Sequence, residues 1–169
     1  DWHGSAEKDG GTLFTQFSHF IDLLLLLFGD FSNIRARFQN FAHAGMMDFE
    51  DTGTVHFDLA CGATGNLNYT TAVFEKNLES SICIIGEKGT VKIGGQYMDK
   101  IEYCHIKDYE LSQPGDGQNA SANHHFIIQN VIDVLHAKNA ISTNALEGLK
   151  VVEIIERMYQ AAKLAGNNI

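Results

Sequence analysis

The stretch His19-Phe-Ile-Asp-Leu-Leu-Leu-Leu-Leu-Phe-Gly-Asp-Phe-Ser-Asn-Ile-Arg-Ala-Arg-Phe-Gln39 decides the fold class, because its periodicity changes in the middle. Up to Phe28 it is an apolar run broken by His19 and Asp22, the texture of a buried helix. After Gly29-Asp30, Ile34, Ala36 and Phe38 alternate with Arg35, Arg37 and Gln39, the mark of a strand with one buried face. Glycine is the usual residue just past a helix end, so Gly29 marks the boundary. Read backwards, the helix begins at about Gly10, with residues 1 to 8 as a loop. Thr15, Gln16 and His19 interrupt it near its amino end, and residues three and four apart share a helix face.

Read forwards, the period of two continues. Val55, Phe57 and Leu59 alternate with His56 and Asp58, and Leu67, Tyr69, Thr71 and Val73 face opposite to Asn66, Asn68 and Thr70. Further strands are predicted over 80–85, 90–93 and 100–106, with Gly86-Glu-Lys-Gly89 as a turn. The segment 112–122 is a polar break, followed by a helix from about Ala122 to Ala137. A last helix opens on an Asn144-x-x-Glu147 capping pattern and carries Leu146, Leu149, Val152, Ile155, Met158 and Ala162 on one face. Short links between consecutive strands imply antiparallel pairing. The expected class is α+β: an open, mostly antiparallel sheet of about six strands with helices packed on one face, residues 1–169 forming one domain.

Composition bounds the function. The chain has 169 residues and a net charge of −9, which argues against a nucleic-acid partner, since phosphate binding needs a basic surface. No window reaches the roughly 18 to 20 apolar residues of a membrane span, so no membrane is expected. Cys61, Cys83 and Cys104 are well separated, form no CxxC pair and sit in strand-like segments; unpaired cysteines fit a reducing, cytoplasmic compartment. The first residue is Asp1 rather than Met, which fits one domain of a longer protein.

The chemistry-bearing candidates are few. No G-x-G-x-x-G or G-x-x-x-x-G-K-[ST] occurs, so no residue here is expected to bind a dinucleotide. His19 is the main candidate, because imidazole exchanges a proton near neutral pH; a core histidine without function is the alternative. Asp22 could orient its ring or face solvent. A metal site is not expected, for want of a third ligand nearby. His124 and His125 point about 100° apart on a helix, so one of the two could face a site. Lys76 and Asn77 could bind sugar hydroxyls or a phosphate, or form a solvated loop. Trp2 could stack on a ligand or cover the core.

Together these segments resemble the carboxy-terminal domain of the glucose-fructose oxidoreductase / inositol dehydrogenase / MocA-like family. The resemblance rests on Trp2-x-Gly4, Asp9-Gly10-Gly11 and His19-x-x-Asp22, then Glu50-Asp51-Thr52, then Gly86-Glu-Lys-Gly-Thr-Val91, then the closing helix Thr143 to Tyr159. Lys76-Asn-Leu-Glu79 and Asp99-Lys-Ile-Glu102 are similar to members that oxidise nucleotide-linked amino sugars or their uronic acids at C3. The resemblance implies an NAD- or NADP-dependent oxidoreductase of sugar hydroxyls. Its dinucleotide-binding domain would precede this chain, and the isolated domain would be inactive. It implies catalytic roles for His19 and Thr15, and substrate contacts from Gln16, Trp2, Lys76, Asn77 and His124. Many members carry Asp or Asn where Thr15 stands, which favours as an alternative a non-catalytic sugar-binding or assembly subunit. It also implies a homo-oligomer, dimer or tetramer, formed through a sheet face, which the apolar residues Tyr69, Thr71, Ile82, Ile84, Val91, Ile93 and Tyr103 would supply.

Overall fold

The computed structural model describes residues 3–111 and 120–166, the side chains of 120–123 excepted. In chain order the elements are α1 (Ala6–Asp9), a π-helical turn (Leu13–Phe17), α2 (Ser18–Phe28), β1 (Phe31–Gln39), β2 (Thr52–Leu59), β3 (Thr64–Thr70), β4 (Ile82–Gly86), β5 (Gly89–Gly94), β6 (Lys100–Ile106), α3 (Ala120–Leu135) and α4 (Ala145–Leu164). The α+β class and the six strands are as the sequence predicts, and every strand pairing is antiparallel. The strands are divided, however, between two three-stranded sheets, β1-β2-β3 and β4-β5-β6. The chain forms two compact units, Asp1–Ala72 with Thr143–Ile169, and Val73–Ser142.

In the first unit the strand alternation does what the sequence predicts. Val55, Phe57 and Leu59 of β2 are buried, while Thr54 and His56 face out. In β1, Phe31 and Ala36 are both buried although they stand five positions apart, which a strict period of two forbids. A bulge between Ser32 and Arg35 restores the parity, with Asn33 in the left-handed region at φ 49°; an extra residue of this kind is what a bulge inserts. The helices cover the inner face. Leu13, Ile21, Ile154, Ile155 and Met158 join Phe31, Phe38, Val55 and Phe57 in one buried cluster. The outer face carries Arg35, Arg37, Thr54, His56, Asn66 and Asn68, all exposed.

Several expectations need correction. Residues 6–9 form a helical turn rather than a loop, and Gly10-Gly11 separates it from the longer helix. In α4 the buried stripe is Val151, Ile154, Ile155, Met158 and Ala162, while Leu146, Leu149 and Val152 are exposed. The capping box is present: Asn144 Oδ1 accepts from the Leu146 and Glu147 amides, and Glu147 accepts from the Asn144 amide. Cys61 lies in the turn after β2, as the glycine of Cys61-Gly62-Ala63 predicts, and not in a strand-like segment. The residues expected to supply one apolar sheet face, from Tyr69 to Tyr103, belong to two different sheets. Tyr69 is buried on the helix-covered side of the first unit, whereas Ile82, Ile84, Val91 and Ile93 belong to the other sheet.

Taken as one stretch, Ala6–Phe28 is long and apolar enough to cross a membrane, with a mean hydropathy of 1.4, which the sequence reading did not allow. Mostly buried core helices pass the same test; here Leu13 and Ile21 are wholly buried in the first unit, and 22% of the apolar window is buried.

In the second unit, Gly86 pairs with Gly89 across the two-residue turn Glu87-Lys88. Ile82, Ile84, Val91 and Ile93 share one half-buried face of its sheet. On the other, Lys92 and Glu102 form an ion pair.

Candidate active site

The helix that carries His19 does not begin as an ordinary α-helix. Its first turn, Leu13–Phe17, is π-helical. Such turns are rare and frequent at functional sites, because one extra residue per turn re-aims the side chains around it. Leu13 and Ile21 face the core, with Phe14, Phe17, Leu24, Leu25 and Phe28 packed at its edge. Thr15, Gln16 and His19 are left exposed on the same helix. The Thr15 hydroxyl donates to the Gly11 carbonyl at 3.2 Å. The His19 ring lies 4.2 Å from that of Phe20, tilted by 39°. Asp22 is exposed and makes no hydrogen bond to His19 among the described residues, so it does not orient that ring.

No capping side chain within the helix satisfies its first free N–H groups, which every helix must place somewhere. Glu50, wholly buried, takes that part. Its Oε1 accepts from the Thr12 amide at 3.0 Å, from the Tyr69 hydroxyl at 2.9 Å and from the Tyr159 hydroxyl at 2.7 Å. The Thr12 hydroxyl donates to the Glu50 carbonyl, and the Leu13 amide donates to Tyr159 Oη at 3.4 Å. A carboxylate here also complements the positive end of the helix dipole. Gly11 makes the approach possible. Its φ is +117°, and a Cβ there would lie 2.0 Å from Tyr159 Oη. The rings around the cluster are packed: Tyr159 on Phe14 at 5.9 Å and on Phe38 at 5.0 Å, and Tyr69 on Phe17 at 4.7 Å. Burial first, then the Glu50 charge, hold both phenols far above the usual tyrosine range.

The next residue, Asp51, organises a loop instead. It is also wholly buried. It accepts from the amides of Phe41, Ala42 and His43 at 3.1, 2.7 and 3.2 Å, from the Thr52 hydroxyl at 2.8 Å, and pairs with His43 Nδ1 at 3.0 Å. Burial pushes its carboxyl up, but the Ala42 and Phe41 amides and then Thr52 and His43 outweigh that and hold it well below the usual carboxylate range. Its stabilising contribution is therefore full above the ordinary aspartate value near ~4 and is lost as pH falls below it. The ordered loop borders a cleft of about 590 Å³ lined by Phe38, Asn40, Phe41, Met47, Asp48 and Phe49 among others. Among the described residues, none of the site residues chosen from the sequence lines it.

The structure thus groups Thr15, Gln16 and His19 on one helix of the first unit. Lys76, Asn77 and His124 lie in the second unit, all exposed; Trp2 is outside the described residues. The cluster of buried Glu50 and Tyr69 with half-buried Tyr159 escaped the sequence reading. The available signal was a Glu-Asp pair at the very start of a strand whose inward residues are apolar. For a dinucleotide the residues present do not fit. The glycine turn 86–89 joins β4 to β5 rather than leading into a helix, so it offers no pyrophosphate cradle. Among the described residues no group of three or more His, Cys, Asp or Glu is placed to hold a metal ion.

Comparison with known proteins gives this geometry a family. The family model for the GFO/IDH/MocA C-terminal domain matches residues 1–92. Among solved structures the chain is similar to the WlbA dehydrogenase from Bordetella pertussis, in complex with NADH and UDP-GlcNAcA, at 32% identity and a TM-score of 0.82, over 97% of this chain and 46% of that one. The WlbA dehydrogenase from Chromobacterium violaceum, also in complex with NADH and UDP-GlcNAcA, is 34% identical with a TM-score of 0.86, over 97% of this chain and 47% of that one. Levoglucosan dehydrogenase, in complex with NADH and levoglucosan, shares the fold at a TM-score of 0.81 and 16% identity, over 98% of this chain and 52% of that one. None of the curated proteins matches the chain. The chain spans a little under half the length of the two WlbA structures. A family model that covers more than half of the residues and the same helix-backed antiparallel architecture agree: this chain belongs to the GFO/IDH/MocA C-terminal domain family.

Proposed function

We propose that this chain is the substrate-binding part of an NAD(P)-dependent oxidoreductase that oxidises a secondary hydroxyl of a nucleotide sugar, with C3 of an amino-sugar uronic acid as the carbon attacked. The observation that carries the reading is the exposed row Thr15, Gln16 and His19 on a helix that starts in a pinned π turn. Identity of 32–34% with two dehydrogenases crystallised with NADH and UDP-GlcNAcA supports the substrate class. The nicotinamide, held by another part of the full-length protein, is the hydride acceptor in this class, and no residue of this chain takes that part.

The work of this chain is to bind and to move a proton. A ring nitrogen of His19 takes the proton of the substrate hydroxyl, the role a positioned base plays in such oxidations. Thr15 Oγ1 donates to Gly11, so it meets the substrate as an acceptor. The Gln16 amide can both donate and accept, which suits a sugar hydroxyl. Lys76, Asn77 and His124 are assigned to the polar and anionic groups of the substrate. Thr15 stands where a carboxylate would relay a proton, and this favours a second reading, a subunit that binds the sugar nucleotide without oxidising it.

Incubation of the full-length protein with UDP-GlcNAcA and NAD or NADP is expected to form reduced nicotinamide, and the isolated 169-residue chain to form none. A thermal shift with the sugar nucleotide but no turnover would favour the second reading. Neither shift nor turnover would overturn both, and turnover by the isolated chain would overturn the division of labour.

We also propose that the protein pairs with a second copy through a sheet face. The support is the outer face of β1-β2-β3, which no helix of its own unit covers and which carries both basic residues and amide side chains able to pair across a two-fold axis. Light scattering at micromolar concentration is expected to give a dimer or tetramer mass; a monomer mass would refute it.

A further inference from the structure

Glu50 has no place in the chemistry above, yet this wholly buried carboxylate is bonded to the start of the helix that carries His19. We propose that Glu50 is a positioning residue: it fixes the start of the π turn through Thr12 and Leu13 and so sets where Thr15, Gln16 and His19 stand. The proposal rests on the functional reading given for that row.

The argument starts from cost. A carboxylate wholly inside a protein is unfavourable unless its oxygens are satisfied. Here Oε1 receives three donors, from Thr12, Tyr69 and Tyr159, while Oε2 has no partner among the described residues. A core built only for stability would do better with apolar side chains of the same volume than with a half-satisfied charge. What the charge supplies is geometry. It ties four separate pieces of the first unit to one atom: the Thr12 amide at the helix start, Tyr69 on β3, Tyr159 on α4, and the chain just before β2. The Thr12 hydroxyl clasps the Glu50 carbonyl as well, and Tyr159 Oη extends the cap to the Leu13 amide. The first two amides of the helix are therefore held from outside it. An end held this way fixes both the axial position and the rotation of the turn that follows, and Thr15 and Gln16 lie inside that turn. Gly11, whose carbonyl takes the Thr15 hydroxyl, is wedged against the same Tyr159 Oη. The path from Glu50 to the reacting face is thus Glu50, Tyr159, Gly11, Thr15, each pair in contact.

The test uses the full-length protein with Glu50→Gln and, as a milder change, Tyr159→Phe, which removes one hydroxyl and keeps the ring stack on Phe14 and Phe38. Misplacement by about 1 Å costs on the order of 100-fold in rate, so kcat on UDP-GlcNAcA is expected to fall about 10- to 100-fold with KM changed less than about threefold. Amide hydrogen exchange should quicken over residues 12–17 while the amides of β1 and β2 keep their protection. Wild-type kcat with wild-type exchange over 12–17 in both variants would overturn the proposal. Exchange that quickens evenly across the first unit, with kcat and KM changing together, would make Glu50 a stabilising residue only and would also overturn it. If the wild type itself oxidises no sugar nucleotide, the functional reading has failed, and unchanged local exchange would then separately reject the positioning of the turn.

Discussion

The His19→Ala variant of the full-length protein is expected to lose about 10²- to 10⁴-fold in kcat on its sugar substrate, the range a positioned general base supplies. KM should change little, because the ring's main contribution is to the proton in flight rather than to substrate binding. The fold should be untouched. His19 is exposed, and among the described residues its ring makes no hydrogen bond, only the 4.2 Å approach to its neighbour Phe20. Removing an exposed side chain of this kind usually changes stability by no more than about 0.5 kcal/mol. The two readouts therefore separate. A melting temperature equal to wild type with a large loss of kcat supports the assignment. A variant with normal turnover removes His19 from the mechanism. Thr15→Val is the companion: it keeps the shape and removes the acceptor, and a smaller loss is expected from it because no proton passes through that hydroxyl.

The parts of this fold that local chemistry decides are the parts legible in the sequence. Gly29 ends α2, the alternation of Ala36 and Phe38 with Arg35 and Arg37 builds β1, Asn144 and Glu147 form their capping box, and Gly86 to Gly89 close a hairpin. Each is settled by neighbours a few residues away. The parts that were not legible depend on residues distant in the chain. The division of six strands into two sheets follows from non-local pairing, about which alternation says nothing. The face of α4 was misassigned because apolar residues nearly encircle that helix, and only contact with β1 and α2 selects Val151 and Ile154 over Leu146 and Leu149. The π turn has no signal of its own, since its caps come from Glu50, 38 residues away from Thr12, and from Tyr159, 146 away from Leu13. The exposed row of Thr15, Gln16 and His19 was visible from helical spacing alone; the buried charge beneath it was not, because a glutamate beside an aspartate at the head of a strand reads equally well as a solvated turn.

That buried charge leads to the second large effect, which is alkaline. Tyr69, buried, and Tyr159, half-buried at the edge of the core, both donate to Glu50 Oε1, and both phenols are held far above the usual tyrosine value by burial and then by that carboxylate. In the unfolded chain each would ionise near pH ~10. A group whose pKa is raised on folding contributes stability that is fully present below its unfolded value and is lost as pH rises towards its folded one. Each phenol that stays protonated in the fold but ionises in the unfolded chain lowers stability by about 1.4 kcal/mol per pH unit. Two together give roughly 2.7 kcal/mol per unit, so a stability at the lower end of the usual ~5–15 kcal/mol is gone about two units above pH ~10. Other groups titrate in that range, so the measurement is a difference. Denaturant unfolding of the full-length protein is followed at a series of pH values above ~10, for the wild type and for Tyr69→Phe with Tyr159→Phe. The double variant starts less stable, because Glu50 loses two donors, but its stability should fall less steeply with pH. Equal slopes would show that the two phenols ionise as readily in the fold as outside it, and the cluster on Glu50 would not be the dry, charge-bearing lock that its geometry describes.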